Sequence, residues 1–517
     1  MNPLISLDRP FRPGEQLPKE HLKVPPAIPF AGTQNVTVRG LRGPARTASP
    51  PLPGQKEKLT MQRARHVLIA VYVVALLGIS AASFGQTTSS KLTPAPKFAR
   101  MPNVNINKVN PPSTSIRFVL PAGKTSTHGL FLNDANSGGG GSNRGNASKH
   151  GTGGSVPNLV GLNTVPTFTG AFASPSPTID PFQTPDGFVY DSTFVMIGNN
   201  PQLGGTTTIP ANITTVSLQL LGSNGGVVAT VPFAPFEDLT EDSPNFNNSQ
   251  YSTGNTQFGD AVQRAEFFNA MAPNWHTLLN FNIVNRATIQ VPQSVELQFP
   301  DGTIIAVPGY QTATASDGST VVFMLDLLFS VLDFNQAVND INGGMFTTNA
   351  MNYHMYPNTF LFSVIDEQGD TNCCVLGFHE YIFDPTQSPS PRWIYSFASW
   401  ISPGTFGGGF QDVAALSHET SEALNDPFGN NIVPTWQFPG IPGACQANLE
   451  TGDPVEVLPV ATVPLPIKER GKTFVYHPQT EALLEWFEIG NPSNAIGGAF
   501  SYPDTTALTS TATPCPF

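Results

Sequence analysis

Residues 136–155 read "NSGGGGSNRGNASKHGTGGS", a run with no apolar side chain larger than alanine. A segment of this composition behaves as a flexible linker, and no hydrophobic core can run continuously through it. The chain therefore has to build its body on one side of it. Apolar periodicity places that body after the linker, from about residue 186 to the C-terminus. Residues 86–185 then read as a low-complexity linker and arm.

The N-terminal part holds a second constraint. From Met61 the chain reads "MQRARHVLIAVYVVALLGISAASFGQ". Arg63 and Arg65 form a positive start, residues 67–82 an apolar core, and Ser83-Phe84-Gly85 a small-residue cleavage site. That is the layout of a secretory signal peptide over residues 61–85. Export machinery reads N-termini, so Met61 is expected to be the initiator and residues 1–60 an unfolded upstream extension. The alternative is a single membrane anchor, but an apolar core of about 16 residues is short for a span of about 20. The expected location is secreted, extracellular or periplasmic, with membrane contact only through an uncleaved signal segment.

Over the whole chain Gly and Pro recur often, 47 and 50 of 517 residues, well above average usage taken together. With 36 Phe and only 12% charged residues, this favours short strands and ordered loops over long surface helices. "TTVSLQLLG", "GGVVATVPF", "ATIQVP", "VELQFP" and "TIIAVPG" read as strands between turn residues. "NTQFGDAVQRAEFFNAM" changes to helical period. Residues 321–334 suggest a buried strand followed by a short helix. "NTFLFSVID", "CCVLGFHEYIF" and "RWIYSFASW" read as successive strands of one sheet, and a last helix is expected in "PQTEALLEWF". The fold class is α+β and β-rich, with antiparallel or mixed sheets. The division expected is a β-rich half, residues 186–300, and a zincin-like α+β half, residues 301–517. The net charge of −12 without a basic cluster in the body argues against nucleic acid as a partner.

Four cysteines are too few for a disulfide-built scaffold. Neighbouring cysteines rarely bond to each other, so Cys373 and Cys374 are each expected to reach one of Cys445 and Cys515.

The chemistry concentrates in "LSHETSEALNDP". A helix over residues 411–425, stopped by Asp426-Pro427, puts Val413, Leu416, Thr420 and Leu424 on one stripe. His418, Glu422 and Asp426 fall in a row on the opposite face, with Glu419 beside it. At i and i+4, His418 and Glu422 can converge on one ion. The pattern resembles the H-E-x-x-H helix of zinc peptidases, with Glu422 in place of the second His. Glu419 is then the candidate general base. A third ligand is expected from Glu450 or Asp453 in "NLETGDPVE", ahead of Asp426; His379 and His477 are alternatives. His379 in "GFHEY", or Tyr381, is a candidate for stabilising an oxyanion. The competing reading is an ordinary amphipathic helix whose polar face meets solvent.

"CCVLGFHEY", "AALSHETSEALNDPFGNNIVPTWQ" and "LETGDP" together resemble a group of secreted bacterial proteins. More loosely they are similar to the plant phosphate-induced (Exordium-type) secreted proteins, which carry an "HELAE…NP" helix after a "GFH" strand. The likeness covers about residues 372–454 and implies an exported protein with a zincin-like helix. The shared positions are His379, His418, Glu419, Glu422, Asn425 or Asp426 with Pro427, and Glu450 with Asp453. Thr420 departs from the aliphatic residue that usually follows His-Glu there.

Two functions follow as expectations. One is a zinc-dependent hydrolase, foremost a peptidase, acting on a peptide or extracellular polymer. The other is a non-enzymatic extracellular or cell-wall-associated protein in which the carboxylates hold Zn²⁺ or Ca²⁺ structurally, or nothing. A weaker third is a carbohydrate-binding surface using Trp393, Trp400 and Trp436.

Overall fold

Two sixteen-residue strands, paired in parallel along almost their whole length, set the architecture. In chain order the elements that position the site begin with β1 (Thr206–Leu221), β2 (Val227–Val231), helix α1 (Phe258–Glu266), β3 (His276–Val291), β4 (Thr320–Leu325) and helix α2 (Asp326–Asn342). There follow β5 (Met351–Pro357), β6 (Thr359–Val364), β7 (Thr371–Val375), β8 (Gly377–Phe383), β9 (Arg392–Trp400) and helix α3 (Ala414–Asn425). The last are β10 (Ile432–Gln437), β11 (Cys445–Asn448) and β12 (Thr513–Pro514). The structure, a computed structural model, describes residues 193–517 except 367–368, 385–386, 407–408, 430, 470, 490–491 and 516–517, together with 116–120, 124, 126–127 and 163–171. The upstream extension, the signal segment and the linker 136–155 lie outside the described residues. Among those described, no helix is long and apolar enough to cross a membrane.

The main sheet runs β8-β9-β5-β1-β3, and β2 pairs with the C-terminal end of β1. β9, β5, β1 and β3 are mutually parallel, while β8 and β2 are antiparallel. Parallel strands need both faces covered, which is why β5 is buried at all of its positions. Alternation along the strands separates the two faces. His354 and Tyr356 of β5, with Tyr395 of β9 across from Asn352, face α2, whose Phe329 packs on Phe397 at 4.5 Å. Tyr353 faces the other way and its hydroxyl lies 3.3 Å from Thr420 of α3. His379 and Tyr353 are both registered to Ser396, so His379 also points to the α3 face. The two helices thus cover opposite faces of one mixed, β-rich sheet.

The boundary expected near residue 300 does not divide this architecture. β1 and β3 precede that point, β5, β8 and β9 follow it, and all five share one sheet. Nor do the strands between 359 and 400 form one sheet. β6 and β7 belong to a four-stranded sheet with β4 and Tyr310–Thr314, whereas β8 and β9 belong to the main one. The switch between sheets occurs at Asn358, which adopts a φ of 44° between β5 and β6. The period change in "NTQFGDAVQRAEFFNAM" marks α1, shorter than the pattern at both ends. α2 is longer than its apolar run, because Asp333 and Asp340 continue it with polar groups that the sheet binds. "PQTEALLEWF" gives a two-residue strand, Glu481–Ala482, and a single turn, Leu484–Phe487, not a full helix.

The cysteines pair differently from the expectation. Cys445 on β11 and Cys515 after β12 flank β10 with Cα atoms 6.1 Å apart and are bonded to each other. That leaves Cys373 and Cys374 of β7 bonded to one another across a cis peptide. The tryptophans belong to the interior. Trp436 is fully buried against Trp486 and Phe487, Trp400 stacks on Phe236, and Trp393 is partly buried against the core, which removes the carbohydrate-surface reading.

Candidate functional site

α3 is buried along its whole length, so its polar row does not meet solvent. The small residues Ala414, Ala415, Ser417, Ser421 and Ala423 let neighbours approach closely. A Cβ at Gly259 of α1 would lie 2.5 Å from Leu424 Cδ1. At the far end, Asn431 Nδ2 donates to the Asn425 carbonyl (2.6 Å) and Gln263 Nε2 to that of Leu424 (3.3 Å), which satisfies carbonyls the helix cannot pair itself. A helix enclosed on all sides is ordinarily apolar. This one carries His418, Glu419 and Glu422, and the chain places more carboxyls around them.

The imidazoles are held in fixed orientation. Gln479 Nε2 donates to the Gly452 carbonyl (2.7 Å), so its Oε1 faces His418 Nδ1 (3.2 Å) and accepts its proton. His418 Nε2 is thereby turned toward Glu422 Oε1 (3.1 Å), Asp453 Oδ1 (3.6 Å) and Glu419 Oε1 (4.0 Å). His379, coming from the edge strand β8, donates from Nε2 to the Asp426 carbonyl (3.1 Å). Its Nδ1 faces Glu422 Oε2 (3.2 Å), with Glu419 Oε2 and Glu450 Oε2 each at 3.8 Å. Such anchoring of one ring nitrogen so that the other points inward is what a metal-binding imidazole requires.

Two glycines make room for this. A Cβ at Gly377 would lie 2.5 Å from Glu419 Oε1, and one at Gly452 would lie 2.4 Å from His418 Nδ1. Gly452 also donates its N–H to Glu422 Oε1 (3.0 Å). Gln446 donates to Asp453 Oδ2, leaving Oδ1 turned to His418. The Cys445–Cys515 bond ties down the strand that delivers Gln446 and leads into Glu450 and Asp453.

Electrically the site is lopsided. Glu419, Glu422, Glu450, Asp453, Glu456 and Glu481 gather around two imidazoles, and among the described residues no Lys or Arg pairs with them. Buried oxygens of Glu419, Glu456 and Glu481 have no hydrogen-bond partner there. Burial, reinforced by the charge of Glu422, pushes Glu450 up to about 8 and Asp453 well above the usual carboxylate range. Burial likewise raises Glu419, and burial with Asp453 raises Glu456. Glu422 goes the other way: burial opposes its charge, but His418 and His379 outweigh it and hold the carboxyl well below normal. Burial also opposes charge on His418 and His379, yet the facing carboxylates raise both well above a free imidazole. Whatever stands between each inward nitrogen and Glu422 must be positive, either a second imidazole proton or a cation.

Of the residues expected from sequence, His418, Glu419, Glu422, Glu450 and Asp453 converge here. His379, offered both as a further ligand and as an oxyanion-stabilising residue, joins them with its Nδ1 3.2 Å from Glu422 Oε2. Asp426 is engaged differently: both of its carboxylate oxygens accept the Asn431 N–H, at 3.1 and 3.2 Å. A residue just past the helix end, with φ −140° and ψ 66°, no longer continues the helical row. His477 pairs with Asp412 (2.7 Å) at the helix start, well before His418. Gly377, Gly452, Gln479, Glu456 and Glu481 escaped the sequence reading. Gly377 and Gly452 stand inside motifs already singled out, "GFHEY" and "LETGDP", and a glycine beside a catalytic-type residue was the available signal. Gln479 and Glu481 carry none, since only the fold brings them to α3. No protein-family model, no curated protein and no solved structure matches this chain.

Proposed function

We propose that this protein binds divalent metal at the histidine–carboxylate cluster around Glu422 and uses it to hydrolyse a carbonyl substrate, foremost a peptide, outside the cytoplasm. The observation that carries the reading is a buried set of carboxylates whose only partners of potential positive charge, among the described residues, are two imidazoles with pre-set orientation. Mixed nitrogen and oxygen donors of this kind suit Zn²⁺ better than Ca²⁺, which favours all-oxygen shells. A bound ion would lower the pKa of a water toward about 7 and polarise the scissile carbonyl.

This chain's own residues supply the remainder. Glu419 is next to His418, and its unpartnered Oε2 faces the cluster, where a general base has to stand. Gly377 leaves the space its carboxylate occupies. The side chains of Glu450 and Asp453 are 19% and 11% exposed, so the cluster meets solvent on their side. The two cysteine pairs support export.

One observation favours a second reading, a structural ion: Glu419 and Glu422 side chains are only 5% and 3% exposed, and structural sites are closed. Metal analysis of the purified protein followed by a peptide-cleavage assay separates the two. Bound zinc retained in Glu419→Gln with hydrolysis abolished supports the enzyme. Zinc without hydrolysis in the unaltered protein selects the structural ion, and no metal in the unaltered protein sinks both.

A further inference from the structure

We infer that the site holds two divalent cations bridged by Glu422, an extension that rests on the metal-binding reading above. Glu422 uses its two carboxylate oxygens in different directions. Oε1 is 3.1 Å from His418 Nε2, and Oε2 is 3.2 Å from His379 Nδ1. Two donors each about 2.1 Å from one tetrahedral ion stand about 3.4 Å apart, so each nitrogen–oxygen pair fits the edge of its own coordination shell.

The surrounding carboxyls divide the same way. Donor atoms of His379, Glu419 and Glu422 lie within 4.8 Å of one another, and so do those of His418, Asp453 and Glu456. The two sets have no residue in common, and each contains one imidazole. Glu450 Oε2, at 3.8 Å from His379 Nδ1, completes the first shell, while Glu419 at the same distance faces it as the base. Asp453 Oδ1 and the unpartnered buried Oε1 of Glu456 complete the second. One divalent ion would balance only two of the six carboxyls gathered around the imidazoles. Two bridged ions answer both the charge and the division of donors, and a carboxylate bridge is how two-metal hydrolytic sites hold ions about 3.5–4 Å apart. Imidazole with several carboxylates suits a first-row divalent ion such as Zn²⁺ or Mn²⁺.

The experiment is metal stoichiometry on the full chain, stripped with chelator, reloaded separately with Zn²⁺ and Mn²⁺ and freed of excess. Two ions per chain are expected, with an exchange-coupled electron spin resonance signal for Mn²⁺. The double variant Asp453→Asn/Glu456→Gln should fall to one ion and give the six-line signal of isolated Mn²⁺. Glu419→Gln should keep two. Saturation of the unaltered protein at one ion with the isolated signal overturns the bridge and leaves the metal reading standing. Absence of any bound ion overturns both. If the double variant does not fold, stoichiometry and spin coupling of the unaltered protein still decide.

Discussion

The sheet separates two buried clusters built from the same kinds of groups, and they differ in one respect. On the α2 face, His354 lies between Asp333 (2.6 Å) and Asp340 (3.0 Å). Asp333 also accepts from Tyr356 (2.8 Å) and from Tyr395, and Asp340 from Thr214, Asn285 and Gln336 at 2.8 to 2.9 Å. On the α3 face, oxygens of Glu419, Glu456 and Glu481 have no hydrogen-bond partner. Buried charge that is paired and hydrogen-bonded locks a helix to a sheet. Buried charge left incomplete destabilises the chain unless something else enters. The first cluster is therefore read as architecture and the second as a site.

The contrast breaks most visibly at His354. His354→Ala leaves Asp333 and Asp340 buried without a counter-charge and should cost about 3–5 kcal/mol of stability, measured by denaturant unfolding. Metal content of whatever remains folded should be unchanged. Loss of bound metal with unaltered stability would reverse the assignment of the two clusters.

A pH titration probes the same cluster. Burial opposes charge on His354, but Asp333 and Asp340 outweigh it and raise the imidazole to about 9, while Asp340 is held low and burial keeps Tyr356 and Tyr395 protonated. A raised folded pKa means the native state binds the proton more tightly. The stabilisation is thus complete below the unfolded value of about 6.5 and is lost as pH rises through about 9. Over that window His354 should contribute a decline of about 3 kcal/mol, absent in the His354→Ala protein.

At the other cluster the space left by glycine is decisive. Gly452→Ala pushes on the His418 ring and Gly377→Ala on Glu419, so metal affinity should fall about 10–100-fold, read by competition with a chelating dye. Retained affinity in both would mean that the rings and carboxylates can move aside.

The smallest effect has the opposite sign. Glu481→Gln removes a fully buried carboxyl with an unpartnered oxygen and should stabilise the metal-free protein by about 1 kcal/mol, seen as a higher midpoint in urea. Destabilisation would place Glu481 in the architecture instead.

How much of this was legible depends on sequence distance. "LSHETSEALNDP" announced its helix, the shared face of His418 and Glu422 and its stop at Asp426-Pro427, because 3.6-residue period and a proline act locally. The β-rich character and most strands were legible for the same reason. The solvent-face alternative could be dismissed only once α1, β8 and β9 were seen to enclose α3. The division near residue 300 failed because pairing of β1 with β5 joins segments about 140 residues apart, and no local pattern encodes a partner. Asp333, Asp340 and His354 looked like ordinary polar residues on a helix and a strand until the sheet register set them together.

The sequence by itself determined which groups the chain carries and the local period that presents them: His418, Glu419 and Glu422 on one helix, His379 on a strand, Glu450 and Asp453 within one short stretch. Tertiary structure alone decided that Glu422 stands between two imidazoles, that Gln479 and the Asp426 carbonyl orient them, and that Cys445 reaches Cys515. Helical period is a property of neighbouring dihedrals, whereas the field inside a buried site is a sum over segments the chain brings together only when it folds.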